Sequence, residues 1–462
     1  MPGPHGGNPY FRAMADRPLR IFLGICRILV GATFIISGLI KANDPVGFGI
    51  KLEEYFAASA LGLPWLDPFS LPLAMLACLA EIVLGFAVLT GGRMKLATWA
   101  LLLLTLFFGW LTAYTATCDP QAKYTAVENG VEVLRDVTCV TDCGCFGDAM
   151  KGSVGRSLTP WESFTKDMVL LVFVLPLFLF RKRIGFNTWG TDLAILPAAL
   201  LLLGFWCWVF SWWFPLLFTL VVLCGYMAIK RFMASPRAEW ATAIWVAVLS
   251  AAFMWWCWAH LPVKDYRPYA IGKSIPEQQV MGTPPVQDIW VKYRNTATGE
   301  EKEFDSKGKY PWDDSTWVYV DRRVEVKDPG VDSPVKDFVL TDQDGNEVTA
   351  DVLGDERPVL LVVVRNTAEA RTHCLPAIVQ LATEAQANGW SVLGLTSSGQ
   401  GETEDFRMAH QTPFDFLSCD DVTLKTMIRS NPGLVLLQQG VVRGKWHCND
   451  TPAFSKAARN LK

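Results

Sequence analysis

The chain has almost no net charge and no basic stripe. Its 42 Lys and Arg stand against 45 Asp and Glu, a balance of -3, and the only basic clusters are short ones beside apolar runs. Such a surface has no electrostatic footprint for nucleic acid, so no nucleic-acid partner is expected. Cysteine is also scarce for a disulfide scaffold, because twelve in 462 residues must be read by location rather than as a framework. A small-residue cleavage site is lacking behind the first apolar run, Ile21 to Ile40, which is read as a retained helix rather than a signal peptide. What is present in quantity is apolar and aromatic: 51% hydrophobic residues and 19 Trp give a membrane profile.

Further apolar runs follow at about Phe69 to Thr90, Leu96 to Tyr114, Trp161 to Phe180, Asp192 to Phe210, Trp212 to Ile229 and Trp240 to His260, which predicts seven spans. Basic residues concentrate on cytoplasmic loops. With seven spans the clusters Arg12/Arg17/Arg20, Arg93/Lys95, Arg181/Lys182/Arg183 and Lys230/Arg231/Arg237 all fall on one side, so the amino terminus is expected in the cytoplasm. Indoles prefer the membrane-water interface, and Trp206, Trp208, Trp212 and Trp213, like Trp255, Trp256 and Trp258, gather at the outer boundary. The loop at 115–160 and everything after His260 then face outside, in a periplasm if the membrane is a bacterial inner one.

That loop carries Cys139-Val-Thr-Asp-Cys143-Gly-Cys145, and Cys118 closes the preceding span. Thiols so near one another outside the cytoplasm are placed to exchange disulfides. A Cys-x-Cys ring is tight, and strained disulfides are the labile ones. Thr159-Pro160-Trp161-Glu162 is a capping box that starts the fourth span, whose Glu162, Lys166 and Asp167 are expected at the interface. Glu81 is an ionisable group in mid-span, and such groups are expensive and often functional. Lys41 closes the first span, where snorkelling to the surface is expected in preference to pairing with Glu81. Asp44-Pro45 ends that helix, and Val46 to Leu63 suits an interfacial or re-entrant helix that roofs a pocket.

The run RILVGATFIISGLIKANDPVGFGIKLEEYF, then AEIVLG, then DCGCFG and TPWESFTKD, resembles the DoxX-like membrane family and especially its MauE branch, the methylamine-utilisation membrane proteins. The resemblance implies a four-helix membrane bundle over residues 21–183 and a role in disulfide formation during maturation of a periplasmic dehydrogenase. By the same resemblance Cys143 and Cys145 are the candidate redox pair. Residues 184–260 add three further helices, in which Cys207, Cys224 and Cys257 are read as small hydrophobes, like Cys26 and Cys78.

After His260 the pattern becomes soluble. Residues 261–331 read as an external β-rich connector, with strands near Trp290 to Arg294 and Thr316 to Val320. Residues 332–462 alternate strands and helices and close in a hairpin, which predicts an α/β sheet of mixed pairing. The segment LKTMIRSNPGLVLLQQGVVRGKW resembles thioredoxin-like domains of the TlpA type, which implies a cis bond at Pro432. In that resemblance Ala368, Glu369, Ala370 and Arg371 stand where a Cys-x-x-Cys would, Cys374 lies deeper in a helix running from Ala368 to Asn388 with no near partner in sequence, and Cys419 and Cys448 are read as single. His447-Cys448 is too little for a metal site. The expected fold is thus a multi-span α-helical membrane protein followed by a thioredoxin-like domain lacking Cys-x-x-Cys.

Three readings of the loop remain open: a staple joining Cys118 to a loop thiol, a thiol-disulfide relay through Cys143, Cys145, Cys139 and Cys118, and a zinc site made by the same four. The relay makes the chain a membrane oxidoreductase for extracytoplasmic proteins, with Glu81 and Lys41 as candidate cofactor-binding residues and a membrane quinone as electron sink. The competing class is an envelope assembly or anchoring protein whose thioredoxin-like domain binds a periplasmic partner.

Overall fold

The computed structural model describes residues 9–119, 121–128, 131–140, 144, 146–283, 286–328, 330 and 333–461. The chain forms two compact units that divide between Arg267 and Pro268.

The first unit is a helix bundle: α1 (Pro9–Asn43), α2 (Pro45–Phe56), α3 (Ser70–Thr90) and α4 (Met94–Thr117), then the hairpin β1 (Lys123–Glu128) and β2 (Val131–Asp136). It continues with α5 (Ala149–Val154), α6 (Pro160–Leu179), α7 (Trp189–Val209), α8 (Phe214–Phe232) and α9 (Arg237–Ala259). Local sequence sets the boundaries. Asp44 caps α2 by accepting from the Gly47 amide, with Pro45 in the first turn. Thr159 and Glu162 form the expected capping box of α6. The antiparallel pair α1 and α3 packs through small residues: a Cβ on Gly85 would lie 2.9 Å from the Gly31 carbonyl oxygen, and one on Gly38 would lie 2.7 Å from Ile82 Cγ1.

Among the described residues, six helical stretches are long and apolar enough to cross a membrane: Arg17–Asn43, Pro64–Thr90, Met94–Thr117, Trp189–Val209, Phe214–Phe232 and Arg237–Ala259. Their outward faces are apolar, with Leu193 79% and Leu201 78% exposed on α7, a surface suited to lipid and not to water. The remaining expected span, α6, is 20 residues long but carries Glu162, Lys166 and Asp167 in its first turns, which removes it from that set. It nonetheless runs antiparallel beside α4. Asp167 accepts from Thr112 at 3.1 Å near one end, and Phe178 meets Trp99 edge-on with 4.6 Å between centroids near the other. Of its charges, Asp167 is buried between α6 and α4, whereas Glu162 and Lys166 are partly exposed.

The two ends of this unit differ. At one end Arg27 donates to the Val88 and Leu89 carbonyls and to Asn187, Asn187 donates to Asp192, and Asp192 pairs with Lys230 and accepts from Tyr226. There Arg93 also meets Glu239, so the α3–α4, α6–α7 and α8–α9 connections with their basic residues converge. At the other end lie α2, the hairpin and the cysteine loop, where Asn43 exchanges hydrogen bonds with the Lys264 backbone and Tyr266 donates to the Phe210 carbonyl.

The second unit opens with α10 (Ile275–Gln279) and a three-stranded antiparallel sheet of order β4-β3-β5, from β3 (Val286–Asn295), β4 (Glu301–Asp305) and β5 (Trp317–Asp328). After α11 (Thr349–Gly354) comes a five-stranded mixed sheet of order β10-β9-β6-β7-β8. Its strands are β6 (Val359–Val363), β7 (Ser391–Thr396), β8 (Phe416–Ser418), β9 (Gly433–Gln438) and β10 (Val441–His447). β6, β7 and β8 are parallel, whereas β9 is antiparallel to β6 and to β10. The crossovers are α12 (Leu375–Ala387), α13 (Gln400–His410) and α14 (Asp421–Met427), and α15 (Phe454–Ala458) closes the chain. β6 is buried at every position, as a central strand covered on both faces must be. The Asn431–Pro432 peptide is cis. This is the expected thioredoxin-like arrangement.

Candidate functional site

The end of the bundle opposite the basic residues places a thiol-bearing loop above a buried ion pair. Lys41, on the last turn of α1, does not snorkel: its Nζ lies 2.5 Å from Glu81 Oε1, with the two side chains 4% and 3% exposed. The close approach at Gly38, one turn earlier, brings α1 within reach of α3 and makes this pairing possible. The ammonium lies 4.6 Å from the Phe108 ring centroid and 5.3 Å from that of Phe48, so two aromatic faces replace water around it. Glu81 Oε2 is buried with no hydrogen-bond partner among the described residues. Cys78, three residues earlier on α3, is fully buried.

α2 covers this pair, as the roofing helix read from Val46 to Leu63 would. Phe48, Leu52, Tyr55 and Phe56 face inward, and Tyr55 OH shares a 2.8 Å hydrogen bond with Thr115 at the end of α4. The cysteine loop rests on α2 in turn. A Cβ on Gly144 would meet Lys51 Cγ at 3.0 Å and Phe48 Cδ2 at 3.9 Å, and Gly144 has φ +63, so glycine is required there twice over. Phe146 packs on Phe210 with centroids 5.4 Å apart, and Lys166 Nζ lies 5.4 Å from its ring.

At the base of the loop Cys118 and Cys139 form a disulfide, Cα to Cα 5.8 Å. The Val137 amide donates to the Ala122 carbonyl at the mouth of the hairpin, and the Thr138 amide donates to the Ser59 carbonyl, which ties the same region to the segment after α2. With those two sulfurs bonded to each other, the four-cysteine zinc reading does not describe this state. Cys143 and Cys145 lie outside the described residues. The structure therefore brings Lys41, Glu81, Cys118 and Cys139 to one end of the unit and leaves the arrangement of the Cys-x-Cys pair open. Among the other span cysteines, Cys26, Cys78, Cys207 and Cys257 are buried, whereas Cys224 is exposed on α8.

In the second unit two expectations fail together. The helix expected from Ala368 starts at Leu375, after a 3-10 turn at Thr372–Cys374, so Cys374 stands at the helix amino terminus and not deeper within it. It is bonded to Cys448, with Cα atoms 5.6 Å apart across 74 residues of sequence. No local signal marks that pairing. Only the closing hairpin, which carries Cys448 back beside the start of α12, makes the partner visible.

No curated protein and no solved structure matches this chain. Residues 292–328 match the model of a Domain of unknown function (DUF8463). Residues 19–121 match that of the Methylamine utilisation protein MauE, and residues 331–430 that of the AhpC/TSA family. The chain is therefore an integral membrane helix bundle with a MauE domain, joined to a thioredoxin-like domain, and that combination supports a membrane thiol-disulfide redox role in general.

Proposed function

We propose that this protein is a membrane thiol-disulfide oxidoreductase that forms disulfides in extracytoplasmic proteins, by way of the cysteine loop at the α2 end of the bundle. The observation that carries this reading is the Cys118–Cys139 disulfide at the foot of a loop whose Gly144 rests on the helix covering Lys41 and Glu81.

A substrate thiolate attacks the Cys143–Cys145 disulfide, and a second substrate thiol resolves the mixed disulfide. The substrate leaves oxidised, and Cys143 and Cys145 are left as thiols. Exchange with Cys118–Cys139 then re-forms the Cys143–Cys145 bond and leaves Cys118 and Cys139 reduced. Two electrons and two protons must next leave the protein, and a membrane quinone supplies a two-electron, two-proton acceptor. The residues suited to it are Lys41, as a donor held between aromatic faces, and Glu81, whose Oε2 is buried with no hydrogen-bond partner among the described residues.

Replacing Cys145 with Ser tests this reading. The Cys143 thiolate then attacks the disulfide of an oxidised substrate, the reverse of the forward step, and breaks that bond; with no Cys145 thiol to release the substrate, a mixed disulfide that thiol reduction frees is expected. In wild-type membranes the loop thiols should shift toward the reduced form when the acceptor is depleted. A loop that stays oxidised throughout, with no trapped partner, would leave it a staple.

A further inference from the structure

We infer that Cys374–Cys448 is a second thiol-disulfide exchange centre, one that takes the electron pair of a protein dithiol with His373 as the proton donor. It is displaced from the place of a Cys-x-x-Cys and does not depend on Cys143 or Cys145.

The pair sits where three chain segments meet. Cys374 is the residue immediately before α12, a helix of 13 residues, and Cys448 immediately follows β10. The segment ahead of β9 closes the third side: the Arg371 amide donates to the Asn431 carbonyl at 2.9 Å, and the Cys448 amide donates to Ser430 Oγ at 3.0 Å. Both cysteines are nearly covered, Cys374 at 5% and Cys448 at 2% exposure, and both pack into the apolar core of the domain, but one polar group also reaches the Cys448 sulfur. It is the imidazole of His373, a solvent-exposed residue whose Nε2 lies 3.6 Å from Cys448 Sγ and 3.0 Å from Asn449 Oδ1. Asn449 thus holds the ring on the sulfur. A second imidazole, His447, is set by the Asn449 amide donating to its Nδ1 at 3.0 Å and by Arg371 Nη1 at 3.4 Å from its Nε2. A bridge that only stapled the hairpin to α12 would need none of these groups.

The chemistry follows from which sulfur each group faces. The thiolate of an incoming dithiol attacks Cys374 Sγ, on the residue with the greater exposure, so a bond forms between them and the Cys374–Cys448 bond breaks. The electron pair leaves on Cys448 Sγ, where His373 delivers its Nε2 proton while its Nδ1 takes one from solvent. The second thiol of the dithiol loses its proton to solvent and attacks the substrate sulfur of the mixed disulfide. The substrate leaves as a disulfide, and Cys374 leaves as a thiolate at the amino terminus of α12, where the helix dipole favours it. Two electrons have moved from the dithiol to the cysteine pair.

The test uses the full chain in nanodiscs, with Cys143 and Cys145 replaced by Ser so that the loop pair does not contribute. After a short dithiothreitol pulse, acid quenching, alkylation and peptide mapping should show Cys374 and Cys448 opened at least about tenfold faster than Cys118 and Cys139, with tryptophan fluorescence unchanged. His373→Ala, an exposed change, should slow the opening of that pair by a factor on the order of ten to a hundred at neutral pH. Cys448→Ala should acquire one glutathione at Cys374 when offered glutathione disulfide. A pair that opens only on unfolding, rates unchanged in His373→Ala, or no adduct would each overturn the proposal in favour of a structural bridge. None of these outcomes bears on the function proposed for the loop.

Discussion

Lys41 and Glu81 owe their contact to a glycine. Because Gly38 lets α1 lie against α3 one turn before the lysine, the ammonium reaches the carboxylate across the helix interface and not along its own helix toward the surface. A sequence reading sees a lysine at a span end and assigns the ordinary outcome; the approach distance that decides otherwise is tertiary. Removing one member strands the other charge away from water, which costs about 3–5 kcal/mol. Lys41→Met should therefore lower the thermal midpoint in detergent markedly. The double variant Lys41→Met, Glu81→Gln should recover most of the loss, since both buried charges are then gone. Equal losses in the single and double variants would show that the pair is not the source. Cys419 gives a simpler case: burial, with Asp420 beside it, pushes its thiol up to about 12, so at pH 8 it is almost wholly the unreactive neutral form. Maleimide at pH 8 should leave Cys419 unlabelled in the folded protein and modify it after denaturation, and labelling at the rate of an unfolded thiol would contradict that placement.

At the scale of elements, helices and strands were legible because hydropathy period and caps are local. The capping box at Thr159 and Glu162, the Asp44-Pro45 break and the alternation of strands with helices in the carboxy-terminal domain all lie within a few residues of the boundaries they set. The helix expected from Ala368 begins only at Leu375, because the chain spends the preceding residues in a loop and a 3-10 turn. There Asn366 Oδ1 accepts from the Ala368 amide, and Thr367 bonds to Ser398. The thiol loop was legible as a cysteine cluster but not as a pairing, since which sulfur meets Cys118 depends on how the hairpin β1–β2 folds back. That bridge closes 21 residues, and the loop-closure entropy it removes from the unfolded chain is worth about 3 kcal/mol. Cys139→Ser should expose residues 119–140 to limited proteolysis while the helices stay intact, which peptide mapping of the digest reads directly. Unchanged protection would mean that the contacts of Val137 and Thr138 suffice without the bond.

For the molecule as a whole the decisive element is α6, because it sets the parity of the crossings. By length and composition six stretches qualify as spans, and six crossings would return residue 462 to the side of the amino terminus. Packing argues for seven. α6 keeps company with α4 from Thr112 to Trp99, 13 residues or about 20 Å of helix rise. A helix that lies antiparallel along most of a crossing neighbour crosses with it. Its charges do not forbid this: Glu162 is partly exposed at the first turn beside Arg156, and Asp167 is met by Lys166 and Thr112. Crossing by α6 also leaves its trailing basic run, Arg181 to Arg183, at the end where Arg93 and Lys230 already lie, as the rule for cytoplasmic positive charge requires. With seven crossings both disulfides lie on the side of the membrane opposite the amino terminus, and they persist there if that side is an oxidising compartment. Reporter fusions at Thr138, Arg183 and Lys462 separate the two counts: with seven, Thr138 and Lys462 read outside and Arg183 inside. With six, Thr138 and Arg183 read outside and Lys462 inside, which would remove Cys374 and Cys448 from any role in oxidising secreted proteins.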